Sequence, residues 1–342
     1  MNIGVLTGGG DCPGLNNAIR AVFHRATSSG HTVLGIRDGW AGLITPGNPL
    51  TMALDRARVD AANTVGGTML GSSRTNPMKK EGGLEAVEAN MKQLGLDALV
   101  AIGGDDTLSV AAALAARGDP VVGIPKTMDN DVWGTDFCLG FDTAASTAMD
   151  AVDRLQTTAA SHHRAMVIEV MGRDAGWVAM YAGIGGGAAA IIIPEFEYDM
   201  DAICRRIAER QARGEVSVVV VAEGVTPPGA ATETGAVDAF GHPQLAKKGV
   251  AEALASEIEK QTGIETRWVV PGHILRGGSP SLFDRVLSTR YGVAAVELIE
   301  KGAYGRMVAL RGGEIIDIAL TEVAGKNHRV DRAFYDMAAR LS

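Results

Sequence analysis

Gly103-Gly104-Asp105-Asp106-Thr107 and Pro125-Lys126-Thr127-Met128-Asp129-Asn130-Asp131 each close an apolar run, Ala98 to Ile102 and Val121 to Ile124, that reads as a buried strand. Unbroken apolar strands belong to parallel sheets covered on both faces, so both segments are expected at one carboxyl edge, where α/β sheets bind ligands. Glycines that expose backbone N–H groups, a lysine and several carboxylates describe a place for a metal-bound phosphate and for a hydroxyl to be deprotonated. Chemistry of that kind is phosphoryl transfer.

Working outward, further strand-like runs fall at Ile3 to Leu6, Thr32 to Ile36, Ala165 to Val170, Ala190 to Ile193, Val216 to Ala222 and Arg267 to Val270. Helical patterns lie between most of them: Leu15 to Thr27, Gly83 to Leu94, Leu108 to Arg117, Thr143 to Ala160, Ala246 to Thr262 and Ser281 to Lys301. The alternation predicts an α/β protein of two Rossmann-like lobes, mostly parallel sheets wrapped by helices, with the active site in the cleft between them. The first lobe is expected over 1–140 and the second over 141–300, with 301–342 crossing back. Arg311-Gly312-Gly313-Glu314 signals one antiparallel hairpin, and the Pro-, Gly- and Thr-rich stretch 224–244 a long loop, insertion or lid.

The chain has 342 residues, 46% of them hydrophobic, enough for two ordinary domains. Its net charge of −8 argues against nucleic acid or an anionic membrane surface as partner, so an anionic substrate needs locally concentrated Arg and Lys. No segment reads as a signal peptide or a membrane span, and Cys12, Cys138 and Cys204 are scattered, without a CxxC pair. A cytoplasmic protein is expected.

The first strand runs into Thr7-Gly8-Gly9-Gly10-Asp11-Cys12-Pro13-Gly14, where backbone amides and a helix start suit a phosphate. It is neither a Walker loop nor GxGxxG, and a plain turn needing positive φ is the alternative. Cys12 reads as a packing residue. Asp105 could hold Mg²⁺, while Asp106 would repel phosphate and could simply cap the helix starting at Thr107. Lys126 suits a transferring phosphoryl group and Asp129 a general base, with an Asx turn at 129–131 as the bland alternative. Lys126 should lower the Asp129 pKa, whereas Asp131 and burial should raise it. Arg164, Arg173, Arg267, Arg276 and His273 each flank a strand run and could gather around a sugar phosphate; His162 and His163 diverge as neighbours and suit solvated or core roles.

These motifs, with Met171-Gly172-Arg173, Glu265-Thr266-Arg267 and the stretch from His273 to Pro280, resemble the phosphofructokinases over nearly the whole chain. The resemblance implies phosphoryl transfer to the 1-hydroxyl of fructose 6-phosphate, giving fructose 1,6-bisphosphate. It assigns Gly10, Arg74 and Gly104 to the phosphoryl donor, Asp105 to Mg²⁺ and Asp129 to the base. Thr127, Met171, Gly172, Arg173, Glu223, His273 and Arg276 fall to the sugar phosphate, with Arg164 and Arg267 from a neighbouring subunit of a homodimer or homotetramer.

The donor turns on two positions. In ATP-using bacterial members both are glycine; here Asp106 fills and charges the room for an α-phosphate, and Lys126 can pair with pyrophosphate and the phosphate that leaves. The pair resembles the pyrophosphate-dependent enzymes and implies a reversible step. Arg20 remains of the basic cluster that binds a nucleotide effector in ATP-using relatives, but His24, Gln156, Ala212 and Gly214 replace other basic groups, so nucleotide allostery is not expected. Competing readings are an ATP-dependent phosphofructokinase, an NAD-kinase-type enzyme, which leaves Lys126 to Asp131 unexplained, and a non-catalytic sugar-phosphate-binding protein.

Overall fold

The structure, a computed structural model, describes residues 1–228 and 249–340. In chain order the elements begin β1 (Asn2–Thr7), α1 (Leu15–Ser28), β2 (Thr32–Ile36), α2 (Ala41–Ile44), β3 (Thr51–Ala53), α3 (Arg56–Ala61), α4 (Gly83–Gln93), β4 (Ala98–Gly103), α5 (Asp105–Ala116), β5 (Val121–Pro125) and α6 (Phe141–His162). They continue with β6 (Ala165–Val170), α7 (Trp177–Gly185), β7 (Ala190–Ile192), α8 (Met200–Ala212), β8 (Ser217–Ala222), α9 (Val250–Thr262), β9 (Thr266–Val269) and α10 (Leu282–Glu300). The hairpin β10 (Arg306–Arg311) and β11 (Glu314–Ala319) follows, then α11 (Leu320–Val323) and α12 (Arg332–Ala339).

The chain forms two compact units. Among described residues, the first holds Met1–Thr143 and Arg276–His328, and the second holds 144–228, 249–275 and 329–340. Of the loop expected at 224–244, residues 229–244 lie outside the described residues, as do 246–248 of the expected helix.

The first unit carries a seven-stranded sheet in the order β11-β10-β5-β4-β1-β2-β3. Its central strands β4 and β5 are buried at every position, as continuous apolar runs require. Helices bury the faces, and a core forms around Leu6, Trp40, Leu99, Leu108, Leu114, Met307 and Leu320. The hairpin bends at Gly312 (φ 57°) and Gly313 (φ 94°), a two-residue turn that needs two positive φ values. A second antiparallel pair, β2 with β3, corrects the expectation of one such element; Thr51-Met52-Ala53 is a half-exposed edge with no apolar alternation to announce it.

Strand β1 lies between β4 and β2, so the chain reverses direction across the sheet there. Thr7 pairs with Ile102 and Gly103 with Pro125, which aligns the ends of β1, β4 and β5. The backbone continues the alignment past the strands: Gly8 N–H donates to Ile102 O at 2.9 Å, and Lys126 N–H to Gly103 O at 2.9 Å. Three loops therefore leave one edge side by side at a topological switch point.

The second unit carries the parallel sheet β7-β8-β6-β9. Helix α7, which glycines disguise in the sequence, packs tightly on β7: a methyl group at Gly183 would lie 2.5 Å from Ile191 Cγ1.

Candidate active site

In the first unit the loop after β1 turns at Gly9 (φ 78°) and Gly14 (φ 104°), so positive φ is one reason for its glycines. Gly9 N–H donates to Ser73 O at 3.1 Å and Ser72 Oγ–H donates to Gly9 O at 2.5 Å, which places the exposed Arg74 beside this loop. Gly10 is glycine for another reason: a methyl group there would lie 2.5 Å from Arg276 Nη1. That guanidinium donates to Asp11 O at 3.1 Å. Arg276 thus sits against the expected donor loop, whereas Arg164, Arg173 and Arg267 belong to the second unit.

Lys126 is 3% exposed, and its Nζ donates to Gly10 O at 2.5 Å. Burial pushes the ammonium below its ordinary value, and Arg276 adds to the push, while Cys12, Asp11 and Asp131 oppose it. Cys12 is fully buried with its thiol pushed up to about 12 by desolvation, which suits packing and not nucleophilic attack.

Helix α5 starts at Asp105 with Gly104 as its N-cap, so Asp106 lies in the first turn and is not the cap that the sequence suggested. Two carboxylates there complement the helix dipole, worth roughly 0.3–1 kcal/mol each when exposed. Asp105 Oδ1 accepts the Gly325 N–H at 3.0 Å. The glycines also have a packing reason: added methyl groups at Gly8 and Gly103 would lie 2.5 Å and 2.3 Å from Thr107 side-chain atoms. Gly104, by contrast, has room, with Lys126 O 3.5 Å from a methyl position.

In the third loop Thr127 Oγ1 accepts the Asp129 N–H at 3.1 Å. Asn130 is buried and adopts φ 54°, and its side chain reaches forward: Oδ1 accepts from Cys138 N–H at 2.7 Å and Nδ2 donates to Asp136 O at 3.0 Å. The segment is therefore cross-braced by residues 136–138. His328 adds a brace, its N–H donating to Asp131 O at 2.8 Å and its Nδ1 lying 3.1 Å from Asn130 O. Half-buried Asp129 is presented between these supports.

In the second unit the expected residues divide between opposite sheet edges. Met171, Gly172 and Arg173 follow β6, and Glu223 follows its neighbour β8. Gly172 adopts φ 136°, Glu223 N–H donates to Val170 O at 2.9 Å, and Gly224 N–H donates to Gly172 O at 3.1 Å. Arg173 Nε donates to Asp174 at 3.1 Å. Arg164 precedes β6 and Arg267 lies near the start of β9, where both engage Glu265, Arg164 at 2.7 Å. The Arg164 hydrogen bond first, then both charges, hold the Glu265 carboxyl below the usual range. A six-residue strand at roughly 3.3 Å per residue separates the two edges by about 20 Å. His273 is exposed in a short 3₁₀ turn, Gly272–Arg276; His162 ends α6, and His163 follows at φ 54°.

Among the described residues no group of three or more His, Cys, Asp and Glu is arranged to hold a metal ion. A magnesium ion held by one or two carboxylates and substrate phosphates needs no such cage, and the hard oxygens of Asp105, oriented by Gly325, fit that mode. No helix among the described residues is long and apolar enough to cross a membrane.

An open, mostly parallel sheet with a glycine loop, a buried lysine and carboxylates at its switch point defines an α/β protein equipped for phosphate chemistry. The phosphofructokinase family model matches residues 2–299, and the chain belongs to that family. It is 49% identical to the pyrophosphate–fructose 6-phosphate 1-phosphotransferase of Dictyoglomus thermophilum, over 98% of this chain and 97% of that protein. It is also 46% identical to an ATP-dependent 6-phosphofructokinase of Corynebacterium efficiens, over 96% of this chain and 95% of the relative. The solved pyrophosphate-dependent phosphofructokinase of Marinobacter aquaeolei shares the fold, with TM-score 0.82 at 21% identity, over 98% of this chain and 91% of that one.

Proposed function

We infer that the protein transfers a phosphoryl group from pyrophosphate to the 1-hydroxyl of fructose 6-phosphate, giving fructose 1,6-bisphosphate and phosphate. The observation that carries the choice of donor is the pair Asp106 and Lys126, one in the first turn of α5 and the other buried with its ammonium on Gly10 O. Asp106 places negative charge where a nucleotide would need room for another phosphate, and Lys126 offers a fixed cation to the shorter donor.

In this reading Gly10, Arg74, Gly104 and Lys126 hold pyrophosphate. Asp129 takes the proton of the 1-hydroxyl as that oxygen attacks, and Lys126 stabilises the charge on the departing phosphate. A magnesium ion at Asp105 would neutralise phosphate charge and polarise the transferring group. Thr127, Met171, Gly172, Arg173, Glu223, His273 and Arg276 hold and orient the sugar phosphate. The 20 Å scale of strand β6 keeps Arg164 and Arg267 from the loop at its other end, which supports their acting on the substrate of a second copy, in a homodimer or homotetramer. A cytoplasmic location belongs to the same proposal.

Absence of nucleotide allostery has its own support. Arg20 and His24 both engage Asp60 at 2.7 Å, so the basic groups left there already face an internal anion. The His24 hydrogen bond, ahead of the Arg20 bond, keeps the Asp60 carboxyl below the usual range.

The test is the reverse reaction. With magnesium, fructose 1,6-bisphosphate and phosphate, the protein is expected to form pyrophosphate and fructose 6-phosphate; ADP-dependent ATP formation with no pyrophosphate would establish the ATP-using alternative.

A further inference from the structure

We propose that Asp284 is a positioning residue for this reaction, fixing the β5–α6 connection, and through it Lys126, against the glycine loop after β1. The side chain is fully buried, and both oxygens are engaged. Oδ1 accepts the Gly140 N–H at 2.9 Å, and Oδ2 accepts the Thr143 N–H at 2.8 Å and its hydroxyl at 2.5 Å. Three donors on two oxygens suit a carboxylate in its ionised, acceptor-only form. Burial pushes the carboxyl up to about 6 against the pull of the Thr143 and Gly140 bonds, with Asp142 adding to the rise, so it is still an anion at neutral pH.

The starts of three helices lie around Asp284. Gly140 and Thr143 bracket the start of α6, and Ser281, the N-cap of α10, accepts the Asp284 N–H at 3.1 Å. Gly14 caps α1, and a methyl group there would lie 3.6 Å from Asp284 Cβ. The start of α6, which directs the Gly140 and Thr143 N–H groups at the carboxylate, is a positive helix end that stabilises the buried anion and is held by it. Ser281 extends the network, donating its N–H to Thr143 Oγ1 at 3.0 Å and its hydroxyl to Asp142 at 2.5 Å.

The network reaches the chemistry through Leu139 and Gly140. Leu139 N–H donates to Pro125 O at 3.2 Å, Leu139 forms a parallel bridge with Lys126, and Cys12 Sγ–H donates to Leu139 O at 3.3 Å. Gly140 (φ 90°) lies so close to Cys12 that an added methyl group would come within 2.3 Å of the sulfur. Two residues before Gly140, Cys138 N–H holds Asn130. The 138–143 segment thus clips the lysine strand, the glycine loop and the Asp129 segment together, and Asp284 clips that segment to α10. Displacement by about 1 Å can cost up to about a hundredfold in rate, so a distant anchor can govern kcat.

The proposal rests on the phosphotransferase reading, which turnover of the parent protein with pyrophosphate or ATP tests separately. Asp284→Asn, Thr143→Val and Thr143→Ser are compared with the parent for kcat, for the KM of each substrate and for magnesium pyrophosphate binding by calorimetry, with folding followed by near-ultraviolet circular dichroism. Folded Asp284→Asn should lose at least about tenfold in kcat/KM for the donor and weaken pyrophosphate binding, with fructose 6-phosphate binding little changed. Thr143→Val should lose less in the same direction, and Thr143→Ser, which keeps the hydroxyl, should return close to the parent. Donor kinetics and pyrophosphate binding unchanged in Asp284→Asn, or a Ser variant as impaired as the Val variant, would overturn the proposal. If Asp284→Asn fails to fold, the Thr143 pair alone decides.

Discussion

The carboxyl edge of the first sheet and the amino edge of the second hold their cations differently. Lys126 is 3% exposed, fixed by Gly10 O and flanked by loops braced through Asn130, Leu139 and Asp284. The Arg164 and Arg267 side chains are 32% and 52% exposed and lean on one carboxylate, Glu265. The first arrangement is preorganised for charge that develops at a fixed place, while the second leaves long side chains able to exchange Glu265 for an incoming phosphate. Catalysis should therefore be sensitive at the first edge and binding adjustable at the second.

The largest expected effect is at Asp129. Replacement by alanine should lower kcat by about 10²–10⁴-fold with little change in KM, measured at saturating magnesium; an unchanged kcat would remove Asp129 from the proton transfer. Lys126→Met should follow at about 10²–10³-fold, because a preorganised charge is lost from a buried place. If a surface lysine is as good as a buried one, the loss will be much smaller.

A pH profile sharpens the same contrast. Burial lowers the Lys126 pKa, so proton loss should turn donor kcat/KM downward, as pH rises, below the ordinary lysine value of about 10.4. Stability moves the other way: the unfolded chain keeps that proton at pH values where the fold has released it, so the Lys126 penalty shrinks as pH rises. A profile flat to the ordinary lysine value would contradict the burial argument. The smallest effect is expected from Glu265→Gln, which should shift the KM for fructose 6-phosphate severalfold at most and leave kcat and the unfolding midpoint nearly unchanged, since exposed ion pairs contribute little. A kcat loss comparable to that of Lys126→Met would erase the distinction between the edges.

The sequence discloses the parts of this molecule that are buried on both faces or tied to chain-local geometry. β6 runs over Ala165–Val170 as its apolar run indicates, and Gly312 and Gly313 announce their hairpin. β3 and α7 escape notice because one is a half-exposed edge and the other carries glycines needed for close packing. The same division holds at the site. Lys126, Asp129 and Asp105 stand out by residue type after strand ends, but the groups that brace them come from far along the chain. Thr107 explains Gly8 and Gly103, His328 holds Asn130 and Asp131, and Asp284 reaches Gly140 and Thr143 across 144 and 141 residues of sequence. At Asn130 the residue type itself is a signal, since asparagine tolerates the positive φ it adopts here while its side chain braces the loop.

Asp106 and Lys126 are expected to select the donor. The most direct measurement is kcat/KM for pyrophosphate and for ATP, taken side by side on the parent protein and on Asp106→Gly with fructose 6-phosphate and magnesium fixed. Turnover with pyrophosphate and little with ATP is expected in the parent, and a preference shifted toward ATP in Asp106→Gly. Brisk ATP-dependent turnover by the parent, with pyrophosphate inert, would contradict it.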